Sequence, residues 1–168
     1  MPVSRVIVMG ASSGGLEALK TVLAGLPANL PAAVFVVQHI APHSQNYLAK
    51  ILSDYSEIPP KTAEPGDPVE DGRLTVARTD RHLLVDEDGV TLSRGPRENR
   101  SRPAIDPLFR SAALAFGHRT IGVVLSGSLD DGTAGLQAIK HCGGLAVVQE
   151  TDDAIVADMP QSAIDNVN

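Results

Sequence analysis

Residues 5–15 read RVIVMGASSGG, and this stretch decides the fold class. A short β-branched run from Arg5 to Met9 enters a glycine-rich turn at Gly10, which is typical of a buried strand of a parallel sheet. A helix is predicted directly after the turn, because leucine and valine recur at helical spacing until Pro27 ends the pattern. Strand, tight turn and helix in this order are the building unit of α/β proteins.

The same unit recurs further along the chain. Residues 32–37 (AAVFVV) and 120–125 (TIGVVL) are predicted to be buried strands. Helices are expected from about Ser44, with Tyr47 on the buried face, and over residues 133–141. The order predicts an α/β fold, doubly wound, with a mainly parallel sheet and helices on both faces.

Between Pro59 and Gly95 the pattern changes to short alternating runs. Residues 83–85 and 90–92, joined across Asp88-Gly89, predict a β-hairpin inserted into the domain.

A polar, aperiodic stretch follows the hairpin. Residues 95–103 (GPRENRSRP) are predicted to form a loop. Asp106 is then expected to be the N-cap of a helix whose first residue is Pro107.

Composition limits the classes of protein to consider. A chain of 168 residues with 43% hydrophobic residues predicts one domain over residues 1–168. The net charge of −6 argues against nucleic acid or an anionic membrane as partner. Since no apolar run suits a signal peptide or membrane insertion and Cys142 is the only cysteine, a cytoplasmic location is expected.

Reactive side chains follow three of the predicted strands. Ser12 and Ser13 come after the first strand, His39 after the second, and Asp130-Asp131 after the TIGVVL strand. Because the carboxyl ends of parallel strands meet at one edge of the sheet, these side chains are expected to lie close together. A nucleophile, a base and an acid at one edge are the components of a Ser-His-Asp triad.

Other readings of these residues stay open at this point. The GASSGG loop also fits a Rossmann-like nucleotide-binding module, although the second strand ends in Gln38-His39 where such a site needs an acidic residue. A metal site at His39, His43 and Asp131 lacks a third nitrogen or sulfur ligand in the nearby sequence. Neither a metal nor a cofactor is predicted.

Four blocks of the sequence decide between the readings, because together they resemble the catalytic domain of the chemotaxis protein-glutamate methylesterases (CheB). The blocks are VIVMGASSGGLEAL, VVQHIAP, RSRPAIDPLF and VVLSGSLDDGTAG, and the resemblance covers nearly the whole chain. It implies Ser12 as nucleophile, His39 as base and Asp131 as the acid that orients the base. The backbone amides of Ser13 and Gly14 are our candidates for oxyanion donors.

The resemblance also implies an activity and a partner. The activity is hydrolysis of glutamate γ-methyl esters with release of methanol, and in many members also glutamine deamidation. The expected partners are methylated cytoplasmic helices of chemoreceptors or related signalling proteins.

The sequence departs from the family pattern at several points. No receiver domain precedes the first strand, Ser128-Leu129 replace the usual Met-Gly, and Arg78-Thr79 replace the usual Pro-Gly. These departures resemble stand-alone or fusion-type relatives, so a place within a larger signalling protein is one expectation. Two alternatives remain: the nucleotide-binding module built on the GASSGG loop and a catalytically silent docking domain.

Overall fold

The structure is a computed structural model that describes residues 3–168. Within these residues, eight strands, five α-helices and one 3-10 helix (Gly117–Arg119) follow one another in an α/β order. The strands are β1 (Val6–Ala11), β2 (Ala33–Gln38), β3 (Pro60–Thr62), β4 (Arg73–Val76), β5 (His82–Asp86), β6 (Gly89–Ser93), β7 (Thr120–Val124) and β8 (Leu145–Val148). The helices are α1 (Gly15–Ala24), α2 (Leu48–Leu52), α3 (Ile105–Phe116), α4 (Thr133–His141) and α5 (Asp158–Asn166).

Six of the strands form one parallel sheet in the order β3-β4-β2-β1-β7-β8. The chain builds outward from β1 on one side through β2 and on the other side through β7. The predicted doubly wound, mainly parallel fold is therefore confirmed. The strand order reverses at β1, and in open α/β sheets the crevice at such a reversal is where ligands bind.

Both faces of the central strands are covered, and β2 shows how. Its residues Ala33, Phe35 and Val37 pack into the core cluster that contains the buried face of α3. The alternate residues Val34 and Val36 pack into the cluster that contains the buried residues of α1 and α2. Because successive side chains of a strand point to opposite faces, a strand buried on both sides reads as a continuous apolar run.

The predicted hairpin is confirmed as β5 and β6, which pair in antiparallel fashion apart from the main sheet. The turn residues are Glu87 and Asp88, not the Asp88-Gly89 pair that the sequence suggested, because Asp86 pairs with Gly89. The Asp86 carboxylate accepts hydrogen bonds from the Asp88 and Gly89 amides, at 2.9 and 3.1 Å, and so closes the turn.

Two predictions about helices were wrong in detail. The helix expected from Ser44 begins only at Leu48, and Tyr47 is 55% exposed rather than buried. Asp106 is not the N-cap of α3, because the helix begins at Ile105, two residues before Pro107, and Ala104 occupies the capping position. Among residues 3–168, no helix has the length and apolar character needed to cross a bilayer.

Candidate active site

The candidate site lies at the carboxyl edge of three neighbouring strands. Ser12 directly follows β1, His39 directly follows β2, and Asp131 lies in the loop that joins β7 to α4. Since β2, β1 and β7 are adjacent in the sheet, their ends bring these three side chains together. Ser12 and His39 are both partly exposed, with the His39 side chain at 19%, whereas the Asp131 side chain is only 1% exposed.

The His39 ring bridges the other two side chains. Its Nδ1 lies 3.0 Å from Ser12 Oγ, and its Nε2 lies 2.6 Å from Asp131 Oδ2. A carboxylate only accepts hydrogen bonds, so Nε2 carries the ring proton in this arrangement and Nδ1 is left as the acceptor for the serine hydroxyl. The ring is thus oriented to receive a proton from Ser12.

The backbone of Ser12 is fixed from both sides. Its N–H donates to Ser126 O at 2.9 Å, at the end of β7. Its carbonyl accepts from Gly15 N at 2.8 Å and from Gln38 Nε2 at 2.9 Å, at the end of β2. The nucleophile candidate is therefore held between the two strands that flank β1, which fixes where its hydroxyl lies.

Two adjacent glycines make the turn after Ser12 feasible. Gly14 has a φ of 72°, in the left-handed region that favours glycine. Gly15 has ordinary dihedrals but no room for a side chain, because a Cβ there would lie 2.5 Å from Ala11 Cβ and 2.9 Å from Ser126 O. In GASSGG, Gly14 therefore allows the left-handed turn, and Gly15 allows the close approach of the backbone at the end of β1.

We expect Gly15→Ala to lower the free energy of unfolding by about 1–3 kcal/mol, because its methyl group meets backbone that cannot move aside. The Ser12 hydroxyl should also shift relative to His39, since Gly15 N holds the Ser12 carbonyl. The matched control is Gly25→Ala, where the nearest atom to a new Cβ is 3.5 Å away. Urea unfolding of both variants checks this, and equal losses would contradict the packing argument.

The Asp131 carboxylate accepts four hydrogen bonds. Oδ2 accepts from His39 Nε2 and from Ile105 N at 2.7 Å. Oδ1 accepts from Asn99 Nδ2 at 2.7 Å and from Asp106 N at 3.0 Å. The two backbone donors are the first N–H groups of α3, so the carboxylate lies at a helix N-terminus, where negative charge is favoured.

A second buried carboxylate, Asp106, lies beside the first. Its Oδ1 accepts from Gly132 N at 3.0 Å and Gly135 N at 2.7 Å, at the start of α4, and its Oδ2 accepts from Asn99 Nδ2 at 2.8 Å. Asp131 therefore caps α3, the helix that contains Asp106, and Asp106 caps α4, the helix that follows Asp131.

The two carboxyl groups have opposite pKa shifts. Burial raises the pKa of Asp131, but the hydrogen bonds from His39 and from the Ile105 amide outweigh burial, so this pKa lies below its ordinary value. Burial, followed by the charge of Asp131, raises the pKa of Asp106 above its ordinary value despite its hydrogen bonds. The arrangement favours a charged Asp131 next to His39.

The candidate oxyanion donors lie next to Ser12, at the start of α1. In the part of the chain that the structure describes, the amides of Ser13 and Gly14 donate to no protein acceptor. The Ser13 carbonyl accepts from the buried Ser126 hydroxyl at 2.7 Å, which holds this turn against the end of β7. Free N–H groups at a helix N-terminus are suited to receive a developing negative charge.

Sequence reasoning missed four residues that support the site: Gln38, Asn99, Asp106 and Ser126. Asp106 was expected to cap its own helix, α3, whereas its side chain caps α4. Asn99 lies in a loop without any periodic signal. Gln38 and Ser126 occupy strand ends, and position at the carboxyl edge of the sheet was the one signal that could have drawn attention to them.

A metal site at His39, His43 and Asp131 was one of the readings that the sequence left open. Among the described residues, no group of three or more His, Cys, Asp and Glu side chains has an arrangement suited to a metal ion. A cavity of about 580 Å³ lies beside α1 over β7 and β8, and none of Ser12, His39 and Asp131 lines it. The three side chains lie instead at an open edge of the sheet.

Comparisons with known proteins give these features a family context. A Leptospira interrogans protein, provisionally named a protein-glutamate methylesterase/protein-glutamine glutaminase, is 42% identical over 95% of this chain and 83% of its own length. The protein-glutamate methylesterase/protein-glutamine glutaminase 2 of Anaeromyxobacter dehalogenans is 41% identical over 96% of this chain and 47% of its own length.

A solved structure matches as well. The crystal structure of the Thermotoga maritima CheB methylesterase catalytic domain superposes with a TM-score of 0.91 at 34% identity, over 96% of this chain and 88% of that chain. The family model for CheB methylesterase matches residues 7–168. Because this match covers nearly the whole sequence, the chain belongs to the CheB methylesterase family.

Proposed function

We propose that residues 1–168 form one catalytic domain that hydrolyses glutamate γ-methyl esters on protein substrates and deamidates glutamine side chains at equivalent positions. The observation that carries the proposal is the pair of His39 contacts, 3.0 Å to Ser12 and 2.6 Å to Asp131. Family membership supports the reaction class, because the relatives described above are named for these two activities.

In the proposed acylation step, Ser12 Oγ attacks the ester carbonyl while His39 Nδ1 takes the hydroxyl proton. Asp131 remains ionised, keeps the second ring proton on Nε2 and balances the charge of the imidazolium. The carbonyl oxygen becomes an oxyanion, which the amides of Ser13 and Gly14 stabilise. Each such donor is worth about 2.7–4 kcal/mol where it has been tested in other hydrolases.

In the second half of the reaction, the imidazolium returns its proton to the leaving methoxide, and methanol departs. Water then attacks the glutamyl ester on Ser12, with His39 again acting as base, and the free glutamate side chain is released. A glutamine substrate follows the same route with ammonia as the leaving group. No metal or cofactor takes part in either route.

The surroundings of the site favour a side chain presented by a protein. Ser12 is partly exposed at the edge of the sheet, so a glutamate methyl ester can reach it from outside. Two exposed aliphatic side chains flank this edge, Leu129 at 55% and Ile155 at 69% exposure. A methylated helix of a chemoreceptor or a related signalling protein is the substrate that we propose.

The test is incubation of the purified chain with a receptor fragment that carries methylated glutamates. We expect methanol in an amount equal to the esters lost, together with a substrate mass lower by one methylene per site. The fragment without methyl groups is the control. Esters that remain intact after prolonged incubation with an equimolar amount of the chain would refute the proposed function.

The two competing functions make different predictions. A nucleotide-binding module would bind NAD(P) or ATP at micromolar concentration and lose that binding on bulky substitution of Gly14. A silent docking domain would bind the receptor fragment without releasing methanol. We expect methanol release and no saturable nucleotide binding.

A further inference from the structure

Asn99 is an exposed residue whose side chain contacts two carboxylates beside the proposed triad. Its side-chain nitrogen Nδ2 donates to Asp131 Oδ1 at 2.7 Å and to Asp106 Oδ2 at 2.8 Å. One amide group thus uses both of its hydrogens on two different buried carboxylates. The opposite amide orientation would direct Oδ1 at two carboxylate oxygens, so the donor orientation is fixed by its neighbours.

The backbone around Asn99 is shaped to present this amide. Asn99 and Arg100 both have left-handed backbone, with φ of 49° and 62°, between Glu98 and Ser101, which pair across the turn at 3.1 and 2.8 Å. Two left-handed residues at the centre of a four-residue turn match a type I′ turn, in which asparagine is among the favoured residues.

The loop is also anchored on both sides of this turn. Glu98 accepts from Arg110 Nη2 at 2.7 and 2.9 Å, which ties the loop to α3. Arg102 donates through Nη2 and Nε to Asp80, at 2.7 and 3.0 Å. Because the loop is held by an ion pair on each side of the turn, the Asn99 amide is kept in contact with the two carboxylates.

We propose that Asn99 is a positioning residue for the esterase reaction, which acts by holding the Asp131 carboxylate in place against His39 and by separating its charge from Asp106. The inference rests on the proposed function, since it assigns Asn99 a role through the triad. Asn99 does not contact Ser12 or His39, so it is not a catalytic residue.

Electrostatics gives the direction of the effect. The amide hydrogens of Asn99 partly offset the negative charge of Asp131 and screen it from Asp106. Without them, more negative charge faces the imidazole, which stabilises its protonated form. Because the reaction needs neutral His39, the acidic limb of the pH profile of kcat/KM should move to higher pH.

The test compares Asn99→Gly with Arg100→Gly. Both substitutions place glycine at a left-handed position of the same turn, but only Asn99→Gly removes the side-chain amide that contacts the carboxylates. The readout is the pH profile of hydrolysis of a small neutral ester, together with methanol release from the methylated receptor fragment.

For Asn99→Gly we expect kcat to fall roughly tenfold with little change in KM, since a lost hydrogen bond to a charged group has an effect of this order. The acidic limb of the pH profile should move to higher pH by about one unit, because a tenfold change in an equilibrium constant corresponds to one pH unit. Asn99→Asp, which keeps the shape but adds a third carboxylate, should move the limb at least as far. Arg100→Gly should keep the wild-type limb.

Different failures are distinguishable. If the wild-type chain hydrolyses neither ester, the proposed function is overturned and the role of Asn99 falls with it. If the wild-type chain is active and Asn99→Gly keeps the same acidic limb, only the role of Asn99 is overturned. Equal rate losses in both glycine variants without a shift of the limb would mean that the turn matters merely for structure.

Discussion

Ser12→Ala is expected to abolish methanol release, with kcat reduced roughly 10⁶-fold, the order of loss seen when the serine of a triad is removed from other hydrolases. The variant should fold normally, because the Ser12 contacts that hold the turn come from its backbone N–H and carbonyl. Steady-state kinetics on the methylated receptor fragment, with methanol as the measured product, checks the expectation.

The matched control for this variant is Ser13→Ala. Ser13 is the next residue and is exposed, and the structure uses its backbone rather than its hydroxyl. Removal of the Ser13 hydroxyl should change kcat by less than tenfold. A Ser12→Ala variant that retains a tenth or more of the wild-type rate would remove Ser12 from the mechanism.

Asp131→Asn should lower kcat about 10⁴-fold, the loss seen for this substitution in other serine hydrolases. An asparagine amide in this place favours the wrong imidazole tautomer, because its nitrogen can donate to His39 Nε2. Asp130→Asn is the control, since Asp130 is exposed and its side chain holds no partner among the described residues. Similar rates for the two variants would contradict the assignment of Asp131.

The same substitution should also change how stability depends on pH. Asp131 has a pKa below its ordinary value in the folded protein, so its ionised form contributes stability above the ordinary range of aspartate. That contribution is lost as the pH falls through the lowered value. Asp131→Asn should therefore lower the free energy of unfolding at neutral pH by about 1–3 kcal/mol. The reason is that the backbone N–H of Ile105, which donates to Asp131 Oδ2, would face the asparagine NH2 group instead of an acceptor.

Urea unfolding of wild type and Asp131→Asn between neutral pH and about pH 3 measures this difference. The gap between the two proteins should narrow as the pH falls. Asp106 works in the opposite sense: its raised pKa means that protonation at lower pH relieves its repulsion with Asp131. A gap that stays constant over the whole range would show that the Asp131 charge contributes nothing to folding.

The sheet was largely predictable because its strands are buried on both faces. Runs such as AAVFVV carry no alternation, and the structure explains this by the covering of both faces of β2. Short strands were harder: β3 and β4 have three and four residues, and they lie in a region for which the sequence predicted short alternating runs but only one defined pair of strands, the hairpin. Strands of that length leave too few residues for a periodic signal.

The candidate site was predictable only in part. The strand ends alone pointed to His39 and to the pair Ser12 and Ser13, and the family blocks were needed to single out Ser12 as the nucleophile. Asp131 needed the family blocks to separate it from Asp130. Asn99 could not be predicted, because its contacts depend on a left-handed turn and on two carboxylates that are distant in sequence.

The most direct test of the triad is the site at which a fluorophosphonate reacts, since this reagent is attacked only by an activated serine. Trypsin releases residues 6–20 as one peptide, which contains both Ser12 and Ser13, so fragmentation is needed to locate the adduct. We predict one adduct, on Ser12, that is lost in Ser12→Ala and strongly reduced in His39→Ala. An adduct on Ser13, or a wild-type protein that releases methanol but is never labelled at Ser12, would contradict the account.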